Sequence, residues 1–226
     1  MGFKDEFDAD GYVRIDGAVA PDLLTNARSR MNAALAHHEP RGAVKLGDDP
    51  FCAPLIATPR LRAAFDALFG PYGWIEPEAL EDLRVKFPAP QRVWWHVDVF
   101  ERGPQTQDED VLTWHVSPSS GGVGLLVLLL LSDVEPTDGA TALRVGSHHA
   151  VARRVDAVGD EGLSLGELLE LGIDADTADA PVALAAGPAG TAFLCHPMLV
   201  HSALSHTGAS PSYWALPAIR RTASAR

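Results

Sequence analysis

A chain of 226 residues, 46% hydrophobic and 21% charged, is long enough to bury a sizeable core and reads as one domain, 1–226, carrying insertions. Its formal charge of −12 argues against a nucleic acid or an anionic membrane as the main partner. Two cysteines, Cys52 and Cys195, exclude a disulfide-stapled scaffold and a multi-cysteine metal site, so nine histidines are the main reserve of metal ligands.

Met1 to Asp10 has no basic stretch leading into an apolar run, so no secretory signal is expected there, and the cytoplasm is the default location. Phe7 to Ile15 reads as the lead into an edge strand at Gly11–Ile15. Ala20-Pro21-Asp22 then opens a helix to about His38, with Leu23, Leu24, Ala27, Met31, Ala34 and Leu35 at helical spacing. A second helix starts after Thr58-Pro59 and stops at Gly70-Pro71.

From Leu83 the texture becomes β-rich: Leu83–Phe87, Val93–Val97, Leu125–Ser132, Ala142–Val145, Thr191–Leu194 and Tyr213–Ile219. Such runs without regularly interleaved helices predict an antiparallel sandwich or barrel. Leu125–Leu131 is apolar throughout, too short to span a bilayer, and fits a strand buried on both faces. Residues 99–123 read as a loop that could cover a site, and 151–182 as an acidic flap holding a helix at Leu165–Leu171.

His96-Val97-Asp98 puts two ligand types at i and i+2, and strand alternation sets both on one face. Alone the tripeptide is weak evidence and reads first as a hydrogen-bonded pair on a surface strand. A second polar cluster, Cys195-His196-Pro197-Met198-Leu199-Val200-His201-Ser202, closes an apolar strand, and its imidazole at His201 would complete a two-histidine, one-carboxylate face. That face leaves three adjacent positions open and suits non-haem Fe(II) binding a cosubstrate together with O₂.

Four ordered segments resemble the phytanoyl-CoA dioxygenase family of Fe(II)/2-oxoglutarate-dependent oxygenases: Asp10-Gly11-Tyr12-Val13, His96-x-Asp98, Val145-Gly146-Ser147-His148, and His196-Pro197-Met198-Leu199-Val200-His201-Ser202. The resemblance covers most of the chain. It implies a mainly β fold with flanking helices, the double-stranded β-helix or cupin-like jelly roll. It also implies Fe(II) held by His96, Asp98 and His201, with 2-oxoglutarate as cosubstrate, O₂ as oxidant and a small metabolite or natural product as substrate. His196 is the rival for the distal ligand. Related halogenases have a small residue where Asp98 stands, so the resemblance favours oxygenation of a C–H bond.

The family usually carries an arginine eleven residues beyond the distal histidine, pairing with the far carboxylate of 2-oxoglutarate. Here that position is Ser212, and His206 to Trp214 contains neither arginine nor lysine. Three arrangements stay open. A cation from elsewhere reaches the pocket, with Arg144 and Lys86 the candidates and Arg220 and Arg221 further along. Alternatively, hydroxyls of Thr207, Ser212 and Tyr213 bind the carboxylate, or 2-oxoglutarate is not used and the chain is a cupin-like metal-binding protein, isomerase or lyase. Of the tryptophans, Trp114 is the expected substrate contact, ahead of Trp94, while His148 is expected to make a structural hydrogen bond and Cys195 to be a small buried residue.

Overall fold

The computed structural model describes residues 2–102, 106–107 and 109–222. The chain opens with helix α1 (Phe3–Asp10), where the sequence suggests the lead into a strand; Gly11, at φ 77°, takes the left-handed turn that ends the helix and donates its N–H to the Phe7 carbonyl. β1 (Tyr12–Ile15) and α2 (Pro21–Leu35) follow, α2 stopping short of His37 and His38. β2 (Ala43–Asp49) is an edge strand with little apolar alternation to betray it. In α3 (Pro59–Phe69) the Thr58 hydroxyl caps the first turn, accepting from Leu61 N at 3.2 Å, and Leu61, Ala64, Phe65 and Leu68 are buried as their spacing predicts. The remaining elements are β3 (Leu80–Lys86), β4 (Glu101–Arg102), β5 (Trp114–Val116), β6 (Val123–Leu130), β7 (Thr141–Arg144), α4 (His148–Asp156), β8 (Leu163–Ser164), α5 (Leu165–Glu170), α6 (Ile173–Asp176), β9 (Val182–Ala185), β10 (Ala192–Cys195), β11 (His201–Ala203), β12 (Ser212–Ala215) and β13 (Ala218–Arg220).

Every strand pair is antiparallel. The large sheet runs β1-β10-β6-β12-β3-β2, with β13 also pairing β6, and a smaller sheet runs β11-β7-β9. The architecture is mainly β with flanking helices, a double-stranded β-helix. β6 explains how it coheres. Its odd positions, Leu125, Val127 and Leu129, pack with α1, α2 and α3 through Phe7, Leu24, Met31, Leu61 and Phe65. Its even positions, Leu126, Leu128 and Leu130, pack inward with Leu143, Phe193 and Trp214. Two cores therefore share one strand, and an unbroken apolar run is the composition that arrangement needs.

The two excursions meet. His115 and Val116 of β5 pair with Ser164 and Leu163 of β8, and β4 pairs the other edge of β5. Under this small sheet Val116, Val151, Val155, Leu163, Leu165, Leu168 and Ile173 form a third core, joined by Val97, Met198 and Val200. Residues 103–105 and 108 of the expected covering loop lie outside the described residues.

Two expectations are corrected. Val93–Val97 is extended but joins no ladder beyond a single bridge between His96 and His201. Pro88 and Pro90 precede it and have no N–H to donate, and the hydroxyls of Ser205 and Ser202 accept from Gln91 N and Trp94 N at 2.9 and 2.8 Å in place of carbonyls. Tyr213–Ile219 is two strands rather than one, because Leu216-Pro217 interrupts it between β12 and β13. Among the described residues no helix is long and apolar enough to cross a membrane.

Candidate metal centre

The bridge between His96 and His201 carries paired backbone hydrogen bonds, His96 N to His201 O at 3.0 Å and His201 N to His96 O at 2.9 Å. This clamp sets the two imidazoles side by side, with ring centroids 4.6 Å apart. Val97 and Val200 point the other way, into the third core, so alternation holds around both ligands although only one of the two segments is a strand. Asp98 closes the group, its Oδ2 3.5 Å from His201 Nε2. One ligand atom from each of His96, Asp98 and His201 lies within 4.8 Å of the others.

The ring orientations suit a metal. His96 Nδ1 lies 2.8 Å from the Trp94 carbonyl, and His201 Nδ1 lies 2.9 Å from the Leu199 carbonyl. A carbonyl only accepts, so each Nδ1 carries a proton, and in the neutral ring the lone pair is then on Nε2. Burial and, after it, the proximity of His201 hold the His96 pKa below its ordinary value, which favours the neutral ligand form. The Trp94 indole stacks on His96 at 4.3 Å with 12° between the planes, fixing that ring from outside. Two imidazoles and one carboxylate on one side of a common point match the face expected for non-haem Fe(II), so the donor set fits such an ion.

A cavity of about 150 Å³ opens beside these ligands, lined by Leu126, Leu128, Leu216 and Phe100 on its apolar side and by Asp82 and Arg84 of β3 on its polar side. Arg84 was absent from the sequence candidates. Its Nε donates to Asp82 Oδ1 at 2.7 Å and its Nη2 to Asp82 Oδ2. Asp82 sits at φ 50° where the β2–β3 register slips, and its N–H is held by Asp48 Oδ1 at 2.9 Å. A non-glycine residue in this backbone region is strained and needs such support.

The other cosubstrate candidates make hydrogen bonds within the protein. Arg144 is buried on the opposite side of β7 from Leu143; it donates to Asp174 O at 2.7 Å and Thr177 Oγ1 at 2.8 Å, pairs with the Asp174 carboxylate and lies over Trp95. Lys86 donates to Gly139 O at 2.8 Å and lies 4.0 Å from the centre of the Trp214 ring. Ser212 Oγ donates to Asp138 O and accepts from Trp214 Nε1, both at 2.9 Å. Thr207 is exposed beside Thr137 O, and the Tyr213 hydroxyl donates to Asn32 Oδ1. Arg220 and Arg221 donate to Gly121 O and Ser119 O.

Trp114 belongs to the small outer sheet, its Nε1 donating to Gln107 O at 3.3 Å, and does not line the metal-side cavity. Trp94 is the indole at the centre. His196 lies apart from the ligand group: its Nδ1 accepts from Met198 N at 3.1 Å, and its ring faces Phe7 and His148. Burial, with the charge of His148 second, pushes it down to about 3. His148 makes its expected structural bond, 3.2 Å from the Asp8 carbonyl, and Cys195 is buried with its thiol pKa raised by desolvation.

Residues 7–212 match the family model for phytanoyl-CoA dioxygenase. Among solved structures, the non-heme alpha ketoglutarate dependent epimerase SnoN from nogalamycin biosynthesis superposes with a TM-score of 0.65 at 19% identity, covering 98% of this chain and 82% of its own. HygX from Streptomyces hygroscopicus, with nickel and 2-oxoglutarate bound, gives 0.62 at 17% identity, covering 96% and 85%. EctD from S. alaskensis with bound Fe gives 0.60 at 20%, covering 99% and 76%. At these identities the likeness is one of fold. No curated protein sequence matches the chain.

Proposed function

This chain belongs to the phytanoyl-CoA dioxygenase family, and from that premise we propose that it is an Fe(II)/2-oxoglutarate-dependent oxygenase that oxidises a C–H bond of a small metabolite or natural product. The observation that carries the reading is the convergence of His96, Asp98 and His201 with both Nδ1 atoms tied to carbonyls, which leaves both Nε2 atoms and the carboxylate as donors. The fold neighbours support the cosubstrate and the substrate class. HygX has been crystallised with nickel, 2-oxoglutarate and hygromycin B, and SnoN with Fe3+, alpha ketoglutarate and nogalamycin RO.

His96, Asp98 and His201 would hold the metal. When bound, Fe(II) with 2-oxoglutarate supplies the oxidising power from O₂, and succinate and CO₂ are the co-products. The chain's own residues set the conditions for that chemistry. The Nδ1–carbonyl bonds keep both imidazoles from rotating, and the Trp94 stack adds to this at His96. The carboxylate at Asp98, where the resembled halogenases carry a small residue, supports oxygenation. Leu126, Leu128, Leu216 and Phe100 present an apolar wall against which a hydrocarbon portion of a substrate is dehydrated. Asp82 fixes the direction of the Arg84 fork on the opposite wall.

The test is succinate release from 2-oxoglutarate by the purified Fe(II)-loaded protein in air, with and without added small molecules. Slow succinate formation without substrate, accelerated by a true substrate, is expected. Absence of succinate, together with no stabilisation of the metal-loaded protein by 2-oxoglutarate, would favour the cupin-like metal-binding alternative instead.

A further inference from the structure

We propose that the distal carboxylate of the cosubstrate is anchored by Arg84 on β3, held in position by Asp82, in place of the usual arginine at the position of Ser212. The inference rests on the oxygenase reading above. Its first support is that the usual position is closed. Both Ser212 Oγ bonds are made within the protein, and Trp214, fully buried, fills the space beside it under Lys86.

The second support is charge. A 2-oxo dicarboxylate brings two negative groups to a cavity that already holds Asp82 and Asp98. The metal would compensate the oxo-acid end, and the far carboxylate needs a cation of its own. Among the described residues lining the cavity, Arg84 is that cation.

Donor geometry is the third support. Asp82 takes Nε–H and one Nη2–H of the five N–H groups of Arg84, and among the described residues no acceptor takes the others. The free edge of the guanidinium can therefore grip a carboxylate while the other edge stays fixed. Position agrees, because Arg84 lines the same cavity as His96, Asp98 and His201. On β3 it stands opposite Trp214, two residues from Lys86, which is opposite Ser212. Lys86 is set aside as the anchor because it does not line the cavity: its ammonium lies over the Trp214 ring with one bond to Gly139 O.

The experiment compares Kd for 2-oxoglutarate and for 2-oxovalerate, which lacks the distal carboxylate, on the Ni(II)-loaded full chain by calorimetry. The wild type should prefer 2-oxoglutarate by about 30- to 300-fold, the worth of a charge-assisted bidentate pair. Arg84→Gln should bring the ratio to within about threefold of unity and leave 2-oxovalerate binding unchanged, while Lys86→Met should keep the wild-type ratio. A preserved ratio in Arg84→Gln overturns the inference, as does a collapse of the ratio in Lys86→Met.

If Arg84→Gln does not take up Ni(II), Arg84→Lys decides, because it keeps the charge and loses the fork. A ratio lowered about tenfold supports the anchor, and an unchanged ratio overturns it. Failure of the Ni(II)-loaded wild type to bind either oxo acid would overturn the oxygenase reading itself, and the inference with it.

Discussion

Lys86 should make the protein less stable at neutral pH than a methionine would. Its Nζ has one hydrogen bond, to Gly139 O, and the face of Trp214, and among the described residues no carboxylate pairs with it. Burial, and after it the charge of Arg84, push its pKa down from 10.5 to about 7. The unfolded chain binds a proton near 10.5 and the folded one only near 7, so stability rises with pH across that window and is lowest, and flat, below it. At about 1.4 kcal/mol per pH decade, the charged side chain opposes folding by about 4 kcal/mol at pH 7, and the bond to Gly139 O with the packing of the side chain on Trp214, both of which the neutral amine keeps, offset about 2. Lys86→Met should therefore stabilise by about 2 kcal/mol at pH 7 in urea unfolding. By pH 10 the wild type regains about 3 kcal/mol, so the variant should be equal or slightly weaker there. An equal difference at both pH values, or a less stable variant at pH 7, would show that the ammonium is hydrated or paired and would refute this account.

The ligand assignment predicts that His201→Ala abolishes stoichiometric Ni(II) or Fe(II) uptake, whereas His196→Ala retains it; calorimetric titration decides, and the reverse result would move the metal to the His196 side. The joining of the two excursions depends on Gly162, at φ 66°, where an added Cβ would stand 2.1 Å from the Val116 carbonyl oxygen. Gly162→Ala should lower stability by at least about 2 kcal/mol. It should also speed amide exchange in β5 and β8 before β6. Unchanged exchange there would show that the β5–β8 pairing does not depend on that backbone turn.

Much of the fold was legible because its signals are local. Pro21 and Thr58 open α2 and α3, and β6 announces a doubly buried strand by its apolar run. His96, Asp98 and His201 were readable as well, since alternation around Val97 and Val200 works whether or not a ladder forms. What escaped is held by long-range pairing. β2 is half-exposed and polar, and only its register with β3 makes it a strand. The small outer sheet unites β5 and β8, some fifty residues apart, through backbone bonds that no side-chain pattern encodes. Trp94 and Trp114 both stand near extended segments in the sequence, and only the fold reveals that Trp94 stacks on the His96 imidazole.

Arg84 shows the same limit at the site itself. Counting from His201 along the chain reaches Ser212 on β12 and stops, because a spacing in sequence does not reveal which strand pairs beside it. In the sheet, β12 lies against β3 with Trp214 opposite Arg84 and Ser212 opposite Lys86. A cation moved from one strand to its neighbour still points into the barrel, since directly opposed residues share a face. The exchange has a structural consequence. With serine at position 212, Trp214 and Lys86 can close that corner, and the charge that remains at the cavity wall is held by a strained aspartate at a bulge. Removing Asp82 should thus loosen the Arg84 fork and weaken binding of a dicarboxylate without touching a metal ligand.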